Sequence, residues 1–298
     1  MKITDVQVWV VNVPLTNPFT SSFETKTGNT RTVLRLRTDE GVEGWGETMH
    51  GQPVARLVRE MTPLLALPTA LAAYTRQVVA AGGFTAVKLR GTSDVDGDIG
   101  ILGAIRAELP DIRLRVDPNA AWPVADTLRS GAALEELGLE YLEDPCVGIE
   151  GMATVRARLR IPLCTNMCVV RFEEFAPAVR AGAVDVIHGD VFKWGGIAAN
   201  KALAAHCETF GLGMNLHSGG ELGVSTAAHL ALAGSTPALR YAIDSMYYLH
   251  TDDILTERLP VTGPRLTVPA GPGLGVTVDE DKLAHYAARN AEEGDLSH

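Results

Sequence analysis

The chain has 298 residues, 46% hydrophobic and 21% charged, with a formal net charge of -10. This is ordinary globular composition, and the excess of carboxylates argues against a phosphate-binding surface for nucleic acid. The length suits one large barrel or two modest domains.

Residues 2–13 alternate and are rich in valine, which predicts a strand. Residues 31–38, RTVLRLRT, alternate too, and DEGVEGWGET offers a turn and a third short strand, completing an antiparallel meander. PVARLVREMTPLLA then predicts a helix ending near Pro68. The opening segment lacks the apolar core and cleavage site of a signal peptide, and no run approaches the roughly 18 apolar residues of a membrane span. The expectation is a soluble, cytoplasmic protein with no membrane partner.

From about Ala70 the rhythm changes. ALAAYTRQVVAAG is an amphipathic helix and TAVKL a strand. Helix and strand then alternate through DIGILGAIRAEL, IRLRVD, VADTLRSGAALEEL, LEYLED, GMATVRARL, IPLCT, FEEFAPAVRAG, VDVIHGD, AANKALAAHCETFG, LGMNLH, GVSTAAHLALAG and LRYAID. Such alternation means a parallel sheet, and this many units favour a closed (β/α) barrel. Seven strands are visible; the first barrel strand, expected before ALAAYTRQ, is not. The tail from Pro260 reads as an extended VPAGPGLGVTVD followed by a frayed, polar AARNAEEGDLSH.

Lys88, Asp117, Glu143, Asn166, Asp190, His217 and Asp244 each stand at the C-terminal end of a predicted strand, 23 to 29 residues from the next. The C-terminal rim is where barrels of this type build their sites. Any one of these residues would pass as a helix cap or loop residue. Seven in succession, mixing cation, carboxylates, amide and imidazole, are hard to read that way. Asp117, Glu143 and Asn166 lie on consecutive strands, and three oxygen ligands suit a hard cation such as Mg²⁺. Asp190 beside His217 would fix the imidazole tautomer and make a general base. His188 competes for Asp190. Lys88 and Arg90 share one strand face, and the arginine, unlike a lysine, cannot give up its proton. Of four cysteines, Cys164 and Cys168 lack the second Cys/His pair of a zinc site, and all four are expected as reduced thiols.

The motifs KLR, VDPNAAW, EDPCVGIEGM, CTNMCVV, HGDVFKWGGI, MNLHSGGELG and YAIDSMYY run in order from Ala70 to His250. They resemble the enolase superfamily, in its mandelate racemase subgroup, and most of all the acid-sugar dehydratases of the glucarate dehydratase type. The resemblance implies a TIM-type (β/α) barrel over 70–259, an α+β capping domain over 1–69, and a C-terminal segment, 260–298, packing back on the cap. It implies Asp117, Glu143 and Asn166 as ligands of one Mg²⁺ per subunit, and His217, paired with Asp190, as base and acid. Lys88 matches the first lysine of the family's Lys-x-Lys pair; the second is Arg90 here. Asn119 and Asp244 are implied as active-site residues, with Ser218 and Glu221 as candidate substrate contacts. The family's even-numbered assemblies imply a homo-oligomer. The strand-rich start, with the cap loop Asn17 to Thr30 and its Thr20, Ser21 and Lys26, would shape specificity. Without a second lysine, racemisation is disfavoured. The expected activity is dehydration of an acid sugar to a 2-keto-3-deoxy acid, by removal of the proton α to a carboxylate through an ene-diolate. An epimerase, a cycloisomerase or a non-catalytic barrel that binds metal and acid sugar are the competing readings.

Overall fold

The computed structural model describes residues 3–20, 25–48, 51–65 and 68–293. The chain divides into two compact units, Met1–Gln77 with Gly100–Pro110, and Val78–Ile99 with Asp111–His298.

The first unit carries the meander. Strands β1 (Ile3–Thr20), β2 (Thr25–Thr38) and β3 (Glu43–Thr48) form an antiparallel sheet in that order. Much of the expected loop over 17–30 is strand backbone, because the β1–β2 pairing continues past a register shift between Pro14 and Phe19. Period-two alternation sets the two faces. One face stacks Trp9 on Trp45, with the Arg35 guanidinium 5.6 and 5.4 Å from their ring centroids. Helices α1 (Gly51–Leu65) and α2 (Pro68–Gly82) follow. The buried Thr32 donates its hydroxyl to the Gly51 carbonyl at 2.8 Å, fixing the start of α1 against β2.

The second unit is a parallel sheet of six strands in sequence order: β4 (Ala86–Arg90), β5 (Arg113–Asp117), β6 (Tyr141–Glu143), β7 (Leu163–Thr165), β8 (Val186–Gly189) and β9 (Gly213–Leu216). The connecting helices are α3 (Val95–Glu108), whose residues from Gly100 onward are counted with the first unit, then α4 (Val124–Arg129), α5 (Gly131–Glu136), α6 (Gly148–Arg156), α7 (Phe172–Ala181) and α8 (Gly196–Phe210), with α9 (Gly223–Gly234) after β9. Leu114, Val116, Leu142, Leu163, Ile187, Met214 and Leu216 are all buried on one strand face, each worth about 1.5–3 kcal/mol of burial. The alternate face carries Arg115, Asp117, Tyr141, Glu143, His188 and Asn215, which are buried too. Tyr141 on β6 meets Asn215 on β9, two strands beyond its neighbour, at 3.3 Å. The sheet is therefore curled with its polar face inward, as in a (β/α) barrel.

Three expectations need correction. LRYAID contributes only the single parallel bridge Met214–Leu239, not a strand. Its Ala242 carbonyl is given to the Arg115 side chain and to Asn215 Nδ2 instead of to a backbone ladder. The helix expected over VADTLRSGAALEEL breaks at Ser130, whose hydroxyl turns away to Asp96. The tail is also more ordered than its polarity suggests. After the two-residue strands β10 (Val261–Thr262) and β11 (Arg265–Leu266), α10 runs over Glu280–Glu293. The Asp279 carboxylate caps that helix by accepting the Asp281 and Lys282 amides at 3.0 Å each. Among the described residues no strand precedes β4 in the parallel sheet, and no helix is long and apolar enough to cross a membrane.

Gly189 separates His188 from Asp190 and allows α8 to approach β8. A Cβ there would meet Asn200 Oδ1, as well as Met214 Cε at 2.6 Å. Gly189→Ala is expected to cost about 1–3 kcal/mol, read as a lower urea midpoint with unchanged slope.

Candidate active site

All seven residues expected at strand ends lie in the second unit, six of them at or near the ends of β4 to β9 and Asp244 in a segment that forms no strand. Strand register sets the first contacts: Lys88 lies level with Arg115 and Arg90 with Asp117. Lys88 Nζ is 3.0 Å from Glu143 Oε2 and 3.9 Å from Asp117 Oδ2, and it also pairs with Asp244 Oδ2. Arg90 Nη1 donates to Asp117 Oδ2 and Asn119 Oδ1, both at 2.7 Å. The two cations expected on one face are both there. Lys88 is largely buried, whereas Arg90 is 57% exposed. Burial alone would lower the Lys88 pKa; Glu143 and Asp244 outweigh it and hold the ammonium protonated.

Asp117 and Glu143 are fully buried and Asn166 nearly so. The Asn166 side-chain amide donates to Glu143 Oε1, and its Oδ1 lies 3.2 Å from Lys193 Nζ. Burial and the adjacent Glu143 push the Asp117 carboxyl up. Glu143 shows the opposite result: burial pushes it up, but His188 and Lys88 more than reverse this and hold it well below the usual carboxylate range. The Asp117 and Glu143 carboxylates supply oxygen atoms that suit a hard divalent cation, and Asn166 lies beside them with its amide nitrogen toward Glu143 and its oxygen toward Lys193. A different group, Glu143, Cys164 and His188, has its ligand atoms within 4.8 Å of one another. Burial pushes the Cys164 thiol far up, against thiolate formation, which disfavours that group as a cation site.

His217 Nδ1 sits 3.0 Å from Asp190 Oδ2. Asp190 Oδ1 accepts the Phe192 and Lys193 amides. Burial raises the Asp190 pKa, but the bond to His217 and these amides bring it below the ordinary value. Asp190 is thus a carboxylate placed to accept a hydrogen bond from Nδ1–H, the tautomer that leaves Nε2 as the basic nitrogen. His188 does not compete for Asp190. Its Nδ1 lies 3.1 Å from Glu143 Oε1 and its Nε2 3.2 Å from the Tyr141 hydroxyl, because on β8 it faces the barrel interior below the rim.

Ser218 and Glu221 are buried and engaged with each other: the Ser218 hydroxyl donates to Glu221 Oε2 at 2.7 Å, and the Gly219 amide donates to Oε1 at 2.6 Å. The pair shapes the loop that carries His217. The side chains of Thr20, Ser21 and Lys26 lie outside the described residues. The four cysteines are free thiols.

Sequence reasoning missed Arg115. It is 1% exposed, donates to Glu140 Oε2 at 2.7 Å and to the Ala242 carbonyl at 2.8 Å, lies 3.3 Å from Asp244 Oδ1, and stacks 4.6 Å from the Tyr141 ring centroid. Arg115 and Lys88 thus grip Asp244 from two strands. Arg115→Met leaves Glu140 and Asp244 without this cation and is expected to cost about 3 kcal/mol in chemical denaturation.

Residues 70–282 match the enolase C-terminal domain-like family, and residues 3–79 match the mandelate racemase/muconate lactonizing enzyme N-terminal domain. This chain belongs to the enolase superfamily. Within the superfamily it is 42% identical over 223 residues to a probable glucarate dehydratase of Streptomyces coelicolor, covering 74% of this chain and 52% of that one. The chain spans about half the length of that relative. A crystal structure of an isomerase from Streptomyces coelicolor is 56% identical, with a TM-score of 0.76 over 99% of this chain and 100% of that one. An enolase from Thermobispora bispora, solved with magnesium and formate, is 27% identical, with a TM-score of 0.72 over 99% of this chain and 94% of that one. As an enolase-superfamily member, the chain carries its polar constellation on the strand ends of the matched C-terminal domain.

Proposed function

We propose that the chain is a Mg²⁺-dependent acid-sugar dehydratase acting through one general base. The observation that carries this reading is the His217–Asp190 pair on the same rim as Asp117, Glu143 and Asn166, with Arg90 rather than a lysine beside Lys88. Mg²⁺ held by Asp117, Glu143 and Asn166 would bind the substrate carboxylate and offset the charge that develops there.

His217 Nε2 takes the proton α to that carboxylate, and Asp190 stabilises the imidazolium that results. Lys88 and Arg90 supply fixed positive charge to the developing enolate, and being bound to carboxylates they are already oriented for it. The β-hydroxyl leaves as water with a proton returned by the His217 imidazolium. The enol tautomerises to a 2-keto-3-deoxy acid, so the net change is loss of one water. Arg90 cannot act as a base on the other face, so a substrate with the opposite α configuration should be inert.

A panel of acid sugars assayed for 2-keto acid tests this reading. The expected result is product from one acid or a narrow set, none in EDTA, and recovery with Mg²⁺. The 56% identity to an isomerase favours a second reading, in which Lys88 serves as a second base and the α-carbon is inverted. Epimer formation without keto acid would select it.

A further inference from the structure

Three non-glycine residues among those described have left-handed backbone: Asn119 at φ 51°, Ala120 at φ 62° and Asp144 at φ 33°. They come from two different rim loops, yet they meet. The Ala120 amide donates to the Asp144 carbonyl at 2.7 Å. Such conformations are costly and persist where surroundings enforce them, typically at functional sites. Asp144 is fully buried, and its amide donates to the Cys164 carbonyl at 2.9 Å. Its side chain reaches the next strand: Oδ1 accepts the Thr165 hydroxyl at 2.5 Å and Oδ2 accepts the Asn166 amide at 2.6 Å. Thr165 Oγ1 in turn accepts the Met167 and Cys168 amides at 3.2 and 3.0 Å.

Asp144 therefore touches all three segments that carry the oxygen ligands. It follows Glu143 in the chain, its carbonyl holds the turn after Asp117, and its carboxylate fixes the backbone of Asn166. We propose that Asp144, acting with Thr165, is the positioning residue of the cation site: it sets the mutual placement of Asp117, Glu143 and Asn166 without itself being a ligand. The proposal rests on the reading of those three as the Mg²⁺ ligands. Groups that orient metal ligands in this way are typically worth 10- to 100-fold in metal affinity.

Isothermal titration of Mg²⁺ into the full chain tests it without a substrate. Asp144→Asn puts an amide donor against a donor, and its dissociation constant is expected to rise about 10- to 100-fold. That variant also removes a charge, and it could fail to fold. Thr165→Val separates these effects, because it deletes only the hydroxyl; its affinity is expected to fall, with Thr165→Ser restoring it. In the double variant the two losses should not add, since they break one unit. Wild-type Mg²⁺ affinity in folded Asp144→Asn and Thr165→Val, with only their melting temperatures lowered, would show a purely structural role and overturn the proposal. A wild-type chain that does not titrate Mg²⁺ would overturn the ligand reading itself, and the proposal with it.

Discussion

His217→Asn is expected to lower kcat for acid-sugar turnover by about 10²–10⁴-fold, the usual worth of a positioned general base. Asparagine can keep a hydrogen bond to Asp190 but cannot take a proton near neutral pH. Since His217 is not among the oxygen ligands, Mg²⁺ titration of the variant should match wild type. The pH profile should change as well: the limb governed by the base is expected to vanish. If Mg²⁺ binding were lost together with turnover, His217 would be part of the metal site or of its support, and its assignment as the base would fail.

Glu143→Gln carries the second large effect, on metal binding and on stability together. Glu143 is fully buried and holds Lys88 at 3.0 Å, His188 at 3.1 Å and the Asn166 amide. The substitution keeps the volume and removes the charge. Lys88 then keeps Asp244 and the more distant Asp117, while His188 loses its carboxylate. Taking one partner from a buried ion pair costs about 3–5 kcal/mol. Measured in EDTA, the melting temperature is expected to fall by roughly 10 °C. Mg²⁺ binding should disappear in the same variant, because one of the two carboxylates proposed as ligands is gone. A variant as stable as wild type that still binds Mg²⁺ would remove Glu143 from the centre of the site.

Much of this arrangement was legible in the sequence because barrel chemistry sits at a fixed place on each unit. Asp117 and Glu143 follow apolar strand residues and precede proline or an Asp-Pro pair, so their strand-end position is written in the chain. The pairings of Lys88 with Glu143 and of His217 with Asp190 follow from that position once the sheet curls. What lies deeper was not legible. Arg113, Arg115 and Asp117 share one face of β5, and nothing local says that Arg115 is buried while the Arg113 side chain stays 55% exposed. The difference comes from Tyr141, Glu140, Ala242 and Asp244, up to 129 residues away in the chain. His188 illustrates the same limit: proximity in sequence pointed to Asp190, but strand geometry turns its ring to Glu143. LRYAID has the composition of a strand, yet Arg115 and Asn215 take the carbonyl of Ala242. Nothing in the EDP stretch marks Asp144 for a left-handed φ of 33°, which no sequence pattern prints.

Arg90 bears most directly on the choice of reaction. It binds Asp117 and Asn119, so it steadies the turn after Asp117 as well as placing positive charge at the rim. A lysine there could be both cation and base; arginine is restricted to the first role. The single-base account follows from that restriction together with the His217–Asp190 pair.

The most direct test of that account is proton NMR of the chain with Mg²⁺ and an acid-sugar panel in D₂O. The account predicts that one α configuration loses its proton and passes to a 2-keto-3-deoxy acid, while its epimer stays unchanged. Deuterium appearing at the α-carbon of both epimers, with their interconversion and no keto acid, would contradict it and establish a two-base isomerase instead.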